Sequence, residues 1–370
     1  MEYRDNKLGK VSLLGFGCMR FPTTASGEII EKEAFEMLDL AYAGGVNYYD
    51  TAYPYHGGQS EPLVGKWLKT KERSAIFVAT KSPVWDVNCK EDFYKIINDQ
   101  LTKLQTDYID YYMLHALNKD SWTKVKDFGV FEVMNDLKEK GLVKQIGFSF
   151  HDEFPIFEDI INAYPWDFCQ IQLNYMDIEH QAGLEGYHLA TKLNIPVIIM
   201  EPIKGGLLAN VPSEIEALFK EAQPNWSDAS WAFRWFADLP NVFTILSGMS
   251  TMEQVADNIK TFKDYYPLSE VEISIVEKAA QLFIERTKIL CTECQYCMPC
   301  PFGVNIPRSF KCYNTGFIYE NKPRALASYK FMSEDKRAHH CTNCGVCVPL
   351  CPQFIDIPGE LKKVAEYFVE

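Results

Sequence analysis

A chain of 370 residues, 47% of them hydrophobic, can bury one large core and a smaller second one. Its net charge of -13 argues against nonspecific nucleic-acid binding, which needs a basic face, and no apolar run is long enough to span a membrane. Nine of the twelve cysteines follow residue 290, and Met1-Glu2-Tyr3-Arg4-Asp5-Asn6-Lys7 holds no apolar stretch of the secretory kind. Clustered thiols on a large unsecreted chain predict bound metal and a reducing cytoplasm rather than a disulfide scaffold.

From about residue 9 to 265 short apolar runs alternate with helical patterns. The runs are 12–19, 46–52, 75–81, 108–115, 144–150, 168–175, 196–202 and 242–248. Between them, 33–43, 93–104 and 130–140 repeat their apolar residues every three to four positions. Gly44-Gly45 and Gly141 stop helices. Eight strands alternating with helices over some 250 residues is the period of a (β/α)8 barrel. An open doubly wound sheet would carry G-x-G-x-x-G in its first turn; Gly15-Phe16-Gly17 lacks the third glycine. Residues 270–290 read as one further helix, and cysteines and prolines dominate from 291. The expected division is therefore a barrel over 1–284 and a small cysteine-rich domain over 285–370.

The ends of the predicted strands carry the chemistry, because a parallel barrel does its work there. The second ends in Asp50, with Tyr55 on its loop; the third ends in Lys81 and the fourth in His115. A lysine and a histidine at buried strand ends are costly unless paired or used. Together the four suit proton transfer to a carbonyl oxygen. Tyr55 would be the general acid, Lys81 the ammonium that lowers its pKa, Asp50 the partner of Lys81, and His115 the donor that orients the carbonyl. Singly, each has an ordinary structural explanation; in sequence at adjacent strand ends they do not.

These residues carry a resemblance. Asp50-Thr51-Ala52, Tyr55, Ser60-Glu61, Ala79-Thr80-Lys81 and Leu114-His115 resemble the aldo-keto reductase family, a (β/α)8 barrel with an Asp–Tyr–Lys–His tetrad that transfers hydride from a nicotinamide. The likeness continues through Ile146–Ser149, Gln170–Tyr175, Met200–Gly206 and Ser247–Ser250 with Gln254 and Asn258. It implies that Ser149 and Gln172 hydrogen-bond the nicotinamide carboxamide, that 200–206 wraps the cofactor, and that Ser247, Gly248, Met249 and Ser250 lie under its phosphates. Gln254 and Asn258 would stand near the adenosine, while Tyr175 is not placed to stack on the nicotinamide. Members that prefer NADPH commonly hold a basic residue where Gly248 stands and an arginine where Gln254 stands; without them NAD becomes plausible beside NADP. His56 replaces the usual glycine after the tyrosine, so that loop closes differently or touches substrate.

The tail holds Cys291-x2-Cys294-x2-Cys297-x2-Cys300-Pro301 and Cys341-x2-Cys344-x2-Cys347-x3-Cys351-Pro352. The second is the run of a bacterial ferredoxin, whose fourth cysteine serves the other cluster. Cys291, Cys294, Cys297 and Cys351 would hold one [4Fe–4S] cluster, and Cys341, Cys344, Cys347 and Cys300 the second. The first run is one residue short before Cys300, which makes Cys312 a substitute ligand; paired structural zinc sites are the alternative chemistry. Cys18, Cys89 and Cys169 read as small buried hydrophobes. The tail resembles the ferredoxin-like domain found on a subset of aldo-keto reductases.

Sequence thus predicts a cytoplasmic oxidoreductase that reduces a small carbonyl, or oxidises an alcohol, with NAD or NADP, and that carries two [4Fe–4S] clusters. Joining a hydride, two electrons at once, to clusters that pass one electron calls for a flavin, yet no flavin motif is present. Alternatives are a redox protein partner docking on the tail, or an idle barrel in an electron-transfer subunit. Trp85, Trp122, Trp226 and Phe21 are candidates to line an aromatic pocket.

Overall fold

The computed structural model describes residues 1–291, 295–351 and 353–369. Its contacts group into two compact units, Met1–Ala209 with Trp226–Glu270, and Asn210–Asn225 with Val271 onward. No helix among the described residues is long and apolar enough to cross a membrane.

The first unit opens with an antiparallel hairpin, β1 (Tyr3–Asn6) and β2 (Gly9–Ser12). Eight parallel strands follow: β3 (Leu14–Gly17), β4 (Tyr48–Asp50), β5 (Phe77–Ser82), β6 (Ile109–Leu117), β7 (Val143–Phe150), β8 (Phe168–Gln172), β9 (Val197–Met200) and β10 (Val242–Ser247). They close in chain order, with β10 pairing back onto β3, so the predicted barrel is present and each strand falls on its apolar run. The hairpin was not anticipated. It closes the end of the barrel opposite the strand C-termini, where Val11 and Leu8 pack on the interior residues Tyr48, Tyr111, Phe168 and Phe243. Tyr111 centres that layer, with ring centroids 5.1 Å from Tyr48, 5.3 Å from Phe168 and 5.7 Å from Phe243. Bulky rings fit only because neighbours are small. A Cβ added to Gly147 would lie 2.6 Å from the Phe168 ring. A second apolar layer, between strands and surrounding helices, takes the other face of every strand, which is why the runs are continuous rather than alternating.

The second unit is helical. Ile306–Ile318, Lys322–Lys330 and Ile357–Tyr367 pack around Val304, Phe310, Cys312, Ala325, Leu361 and Val364. Each helix starts on one sequence device. Asn305, Asn321 and Asp356 accept from the backbone N–H three residues on, and a proline follows within the first turn, where its missing N–H is harmless. Arg286, at the end of helix Glu270–Glu285, ties this unit internally through Glu214 at 2.9 Å and Glu320 at 2.5 Å.

Candidate active site and cysteine clusters

The C-terminal ends of β4, β5 and β6 bring Asp50, Lys81, His115 and the Tyr55 loop together. Lys81 is fully buried, and its Nζ donates to Asp50 Oδ1 at 2.6 Å, the Thr51 carbonyl at 2.7 Å and the Tyr55 hydroxyl at 3.3 Å. Tyr55 sits on the 3-10 turn Tyr55–Gly58, its ring centroid 6.0 Å from that of His115. Glu61, buried behind β5, accepts from Thr80 Oγ1 at 2.6 Å and Gln100 Nε2 at 2.7 Å, and Gln100 also donates to the Lys81 carbonyl at 3.1 Å. The strand carrying Lys81 is thereby held from behind.

Strand β6 does not end at His115 as the sequence suggested. It runs on to Leu117 through a register shift, and Ala116 takes a left-handed φ of 51°. A non-glycine residue pays for that conformation, and bulges of this kind re-aim a side chain at a site. Ala116 N donates to Ser149 Oγ at 2.8 Å, so the bulge is latched to β7. Asp50 Oδ2 and His115 Nδ1 are buried there without a hydrogen-bond partner among the described residues.

Burial alone would press the Lys81 ammonium down, but Asp50, and after it Tyr55, outweigh burial and hold its pKa above the ordinary lysine value. Burial drives His115 down to about 2, with Lys81 adding to the effect, so its imidazole is neutral. Burial also raises Tyr55, and Lys81 works against it without winning. The sequence expectation that Lys81 brings this tyrosine down is therefore corrected: the hydroxyl is protonated at neutral pH, and the ammonium limits how far burial lifts it.

The residues assigned to the cofactor lie around the same mouth. Ser149 and Ser247 are buried at strand ends, and Asn258 Nδ2 donates to Ser247 Oγ at 2.9 Å. Gln254 Oε1 accepts from Ser250 N at 2.7 Å, which closes the loop between β10 and helix Met252–Lys263. Met249 turns its side chain into the core and leaves only backbone to the mouth. In the loop after β9, Glu201, Lys204, Gly205 and Gly206 all have positive φ, a concave turn of the kind that presents amide N–H groups to an anion.

Two residues were passed over by the sequence reading. Asp177 accepts from Gln172 Nε2 and Asn174 Nδ2, each at 3.1 Å, and pairs with Lys204. That leaves Gln172 Oε1 as the atom free to face a ligand. Arg20, just past β3, lies across Gly248: a Cβ there would stand 2.8 Å from Arg20 Cγ. Among the described residues Arg20 has no carboxylate partner. Its place directly after a strand end was the available signal. The four candidate pocket aromatics divide. Trp85 is exposed with its ring 4.9 Å from His115, and Phe21 stacks on His56 at 5.8 Å, whereas Trp122 packs on Phe131 and Trp226 on Trp231. His56 itself has a left-handed φ of 53° in its turn, the conformation for which a glycine is the usual choice.

In the second unit Cys291, Cys297 and Cys351 line one cavity with Ile306 and Phe310. Cys294 and Pro352 lie outside the described residues. Burial pushes the Cys347 thiol up, its own backbone N–H works against that, and the neighbouring thiols of Cys341, Cys344 and Cys300 add to the rise. Cys312 instead sits in the helical core, its Sγ 3.6 Å from Ser328 Oγ. Among the described residues no three thiols lie within 4.8 Å of one another.

With this geometry in place, comparison with known proteins is direct. The model of the aldo/keto reductase family matches residues 13–281. The chain belongs to that family. Residues 290–355 match a 4Fe-4S dicluster domain. The uncharacterized oxidoreductase YqkF of Bacillus subtilis (strain 168) is 24% identical over 311 residues, 74% of this chain and 95% of that protein. L-galactose dehydrogenase of Arabidopsis thaliana is 26% identical over 301 residues, 74% of this chain and 93% of its own. Among solved structures, the aldo-keto reductase AKR11C1 from Bacillus halodurans in its holo form aligns with a TM-score of 0.63 and 26% identity, covering 75% of this chain and 96% of that one. This chain is thus an aldo-keto reductase-type oxidoreductase with a 4Fe-4S dicluster domain.

Proposed function

We propose that the barrel reduces the carbonyl of a small molecule, or oxidises the matching alcohol, with a nicotinamide, and that the second unit holds two [4Fe–4S] clusters. The observation that carries the first half is Lys81 Nζ standing between Asp50 Oδ1 at 2.6 Å and the Tyr55 hydroxyl at 3.3 Å. Bound in the mouth, a nicotinamide supplies or accepts the hydride equivalent at the substrate carbon. Tyr55 gives its proton to the carbonyl oxygen as negative charge develops on it, and Lys81 stabilises the tyrosinate left behind. Asp50 keeps Lys81 charged and in place. His115, neutral, orients the carbonyl by a hydrogen bond instead of competing as an acid. In alcohol oxidation the same groups act in reverse.

The donor set fits the cofactor. Ser149 and Gln172 Oε1 suit a carboxamide, and the turn 201–206 suits a pyrophosphate. Arg20 over Gly248 supplies a cation that neither position 248 nor 254 carries, which supports NADP as well as NAD. For the clusters, the thiols of Cys291, Cys294, Cys297 and Cys351 would hold one and those of Cys300, Cys341, Cys344 and Cys347 the other, where they supply one-electron transfer.

Tyr55→Phe tests the barrel. Carbonyl turnover should be lost while nicotinamide binding and iron content stay unchanged; retained turnover refutes the assignment. Iron and sulfide counted on anaerobically purified protein should give about eight of each per chain for two cubes.

A further inference from the structure

We propose that Glu334, His339 and His340 form a site for a divalent transition metal, separate from the cysteine clusters. His339 Nε2 and His340 Nε2 meet the same oxygen of Glu334, at 2.6 and 2.9 Å. One ligand atom from each residue lies within 4.8 Å of the other two. Side chains of consecutive residues ordinarily point apart. Here the 3-10 turn Ala338–His340 brings both rings to one side, 4.4 Å between centroids.

The backbone under the three ligands is pinned. Arg337 N donates to the Glu334 carbonyl at 3.1 Å, His340 N to the Arg337 carbonyl at 3.2 Å, and Asn305 N to the Lys336 carbonyl at 2.9 Å. Ala338 is buried, and its N–H donates to the Tyr329 hydroxyl at 2.8 Å. Exposed side chains thus project from a fixed frame, so less ordering remains to be done when an ion binds. Arg337, three residues on, is engaged elsewhere. The Arg337 guanidinium donates to the carbonyls of Lys330 and Met332, at 2.9 and 3.1 Å. Among the described residues Glu334 has no lysine or arginine partner.

Two imidazoles and one carboxylate suit zinc, nickel, copper or ferrous iron, and suit magnesium and calcium poorly, since those take oxygen ligands. Zinc at its usual distances puts such atoms about 3.3 Å apart, so the two contacts to Glu334 open by about 0.4 to 0.7 Å to admit the ion. Each imidazole then carries its proton on Nδ1 and offers the Nε2 lone pair. The ligands are all solvent-accessible, which leaves an entry path and a position for water.

The test uses anaerobically purified holoprotein with its iron and sulfide counted, dialysed against buffered Zn²⁺. We expect one zinc per chain, taken up without loss of iron, displaced by Ni²⁺ and not by Mg²⁺. His340→Asn and Glu334→Gln should each weaken binding at least about tenfold. The proposal fails if no saturable zinc binds, if zinc enters only as iron leaves, or if uptake survives the combined His339→Ala, His340→Ala and Glu334→Gln changes. Cadmium NMR on the unaltered protein gives a reading independent of the variants: a resonance in the nitrogen and oxygen range supports the site, and one in the thiolate range overturns it.

Discussion

Asp50→Asn changes one atom of a pair that is almost wholly enclosed. Asp50 is 2% exposed and Lys81 0%, and their atoms meet at 2.6 Å. Burial is the largest influence on Lys81 and acts to neutralise it; Asp50 is the chief opponent. With the carboxylate gone, the folded-state pKa of Lys81 falls below that of the unfolded chain. The unfolded state then binds a proton that the native state lacks, so stability rises with pH. A lysine with an unfolded pKa near 10.4, held neutral at pH 7, costs on the order of a few kcal/mol, and that cost shrinks as pH rises toward 10. The range agrees with the roughly 3–5 kcal/mol lost when one partner of a buried pair is removed. In the unaltered protein Lys81 keeps its proton across this interval and contributes no slope. All seven tryptophans fall in the first unit, so their fluorescence during guanidinium unfolding follows the barrel alone. Destabilisation below about 1 kcal/mol at pH 7, or a loss that does not shrink from pH 7 to pH 10, would refute the argument that Asp50 is what keeps Lys81 charged.

Further outcomes follow from the same geometry. His115, driven down to about 2, is neutral in the fold, while the unfolded chain protonates it below about pH 6.5. Its contribution is complete above that pH and is lost on acidification by about 1.4 kcal/mol per unit, so His115→Gln should flatten the pH dependence of barrel stability between pH 4 and 6 by one proton. Cys300→Ser should cost the second cluster and about half the iron, and Cys312→Ser should leave iron content intact; equal losses would move the ligand assignment. Arg20→Ala should weaken NADPH binding, read by quenching of cofactor fluorescence, by about tenfold; unchanged affinity would remove Arg20 from the phosphate site.

The fold was legible because its periodicities are strong. Strands buried on both faces must be apolar throughout, and the eight runs separate cleanly from helices with apolar residues at every third or fourth place. Asp50, Lys81 and His115 were legible for the complementary reason. Each ends such a run, where a charged or ionisable side chain has no local explanation. Cysteine spacing is likewise written along the chain, since thiols repeated every three residues can reach a common centre or two neighbouring ones.

Tertiary structure alone decided the rest. The direction of the Tyr55 shift is a balance between burial and the Lys81 ammonium, and burial belongs to the packed mouth rather than to any motif. Cys312 lies on the core face of Ile306–Ile318, which no spacing along the chain encodes. Arg20 and Gly248 meet because β3 and β10 close the barrel on each other. The bulge at Ala116, the hold of Asp177 on Gln172 and the meeting of Glu334 with His339 and His340 have the same origin. Each joins atoms whose separation the backbone path decides, and no composition or period along the chain encodes that distance.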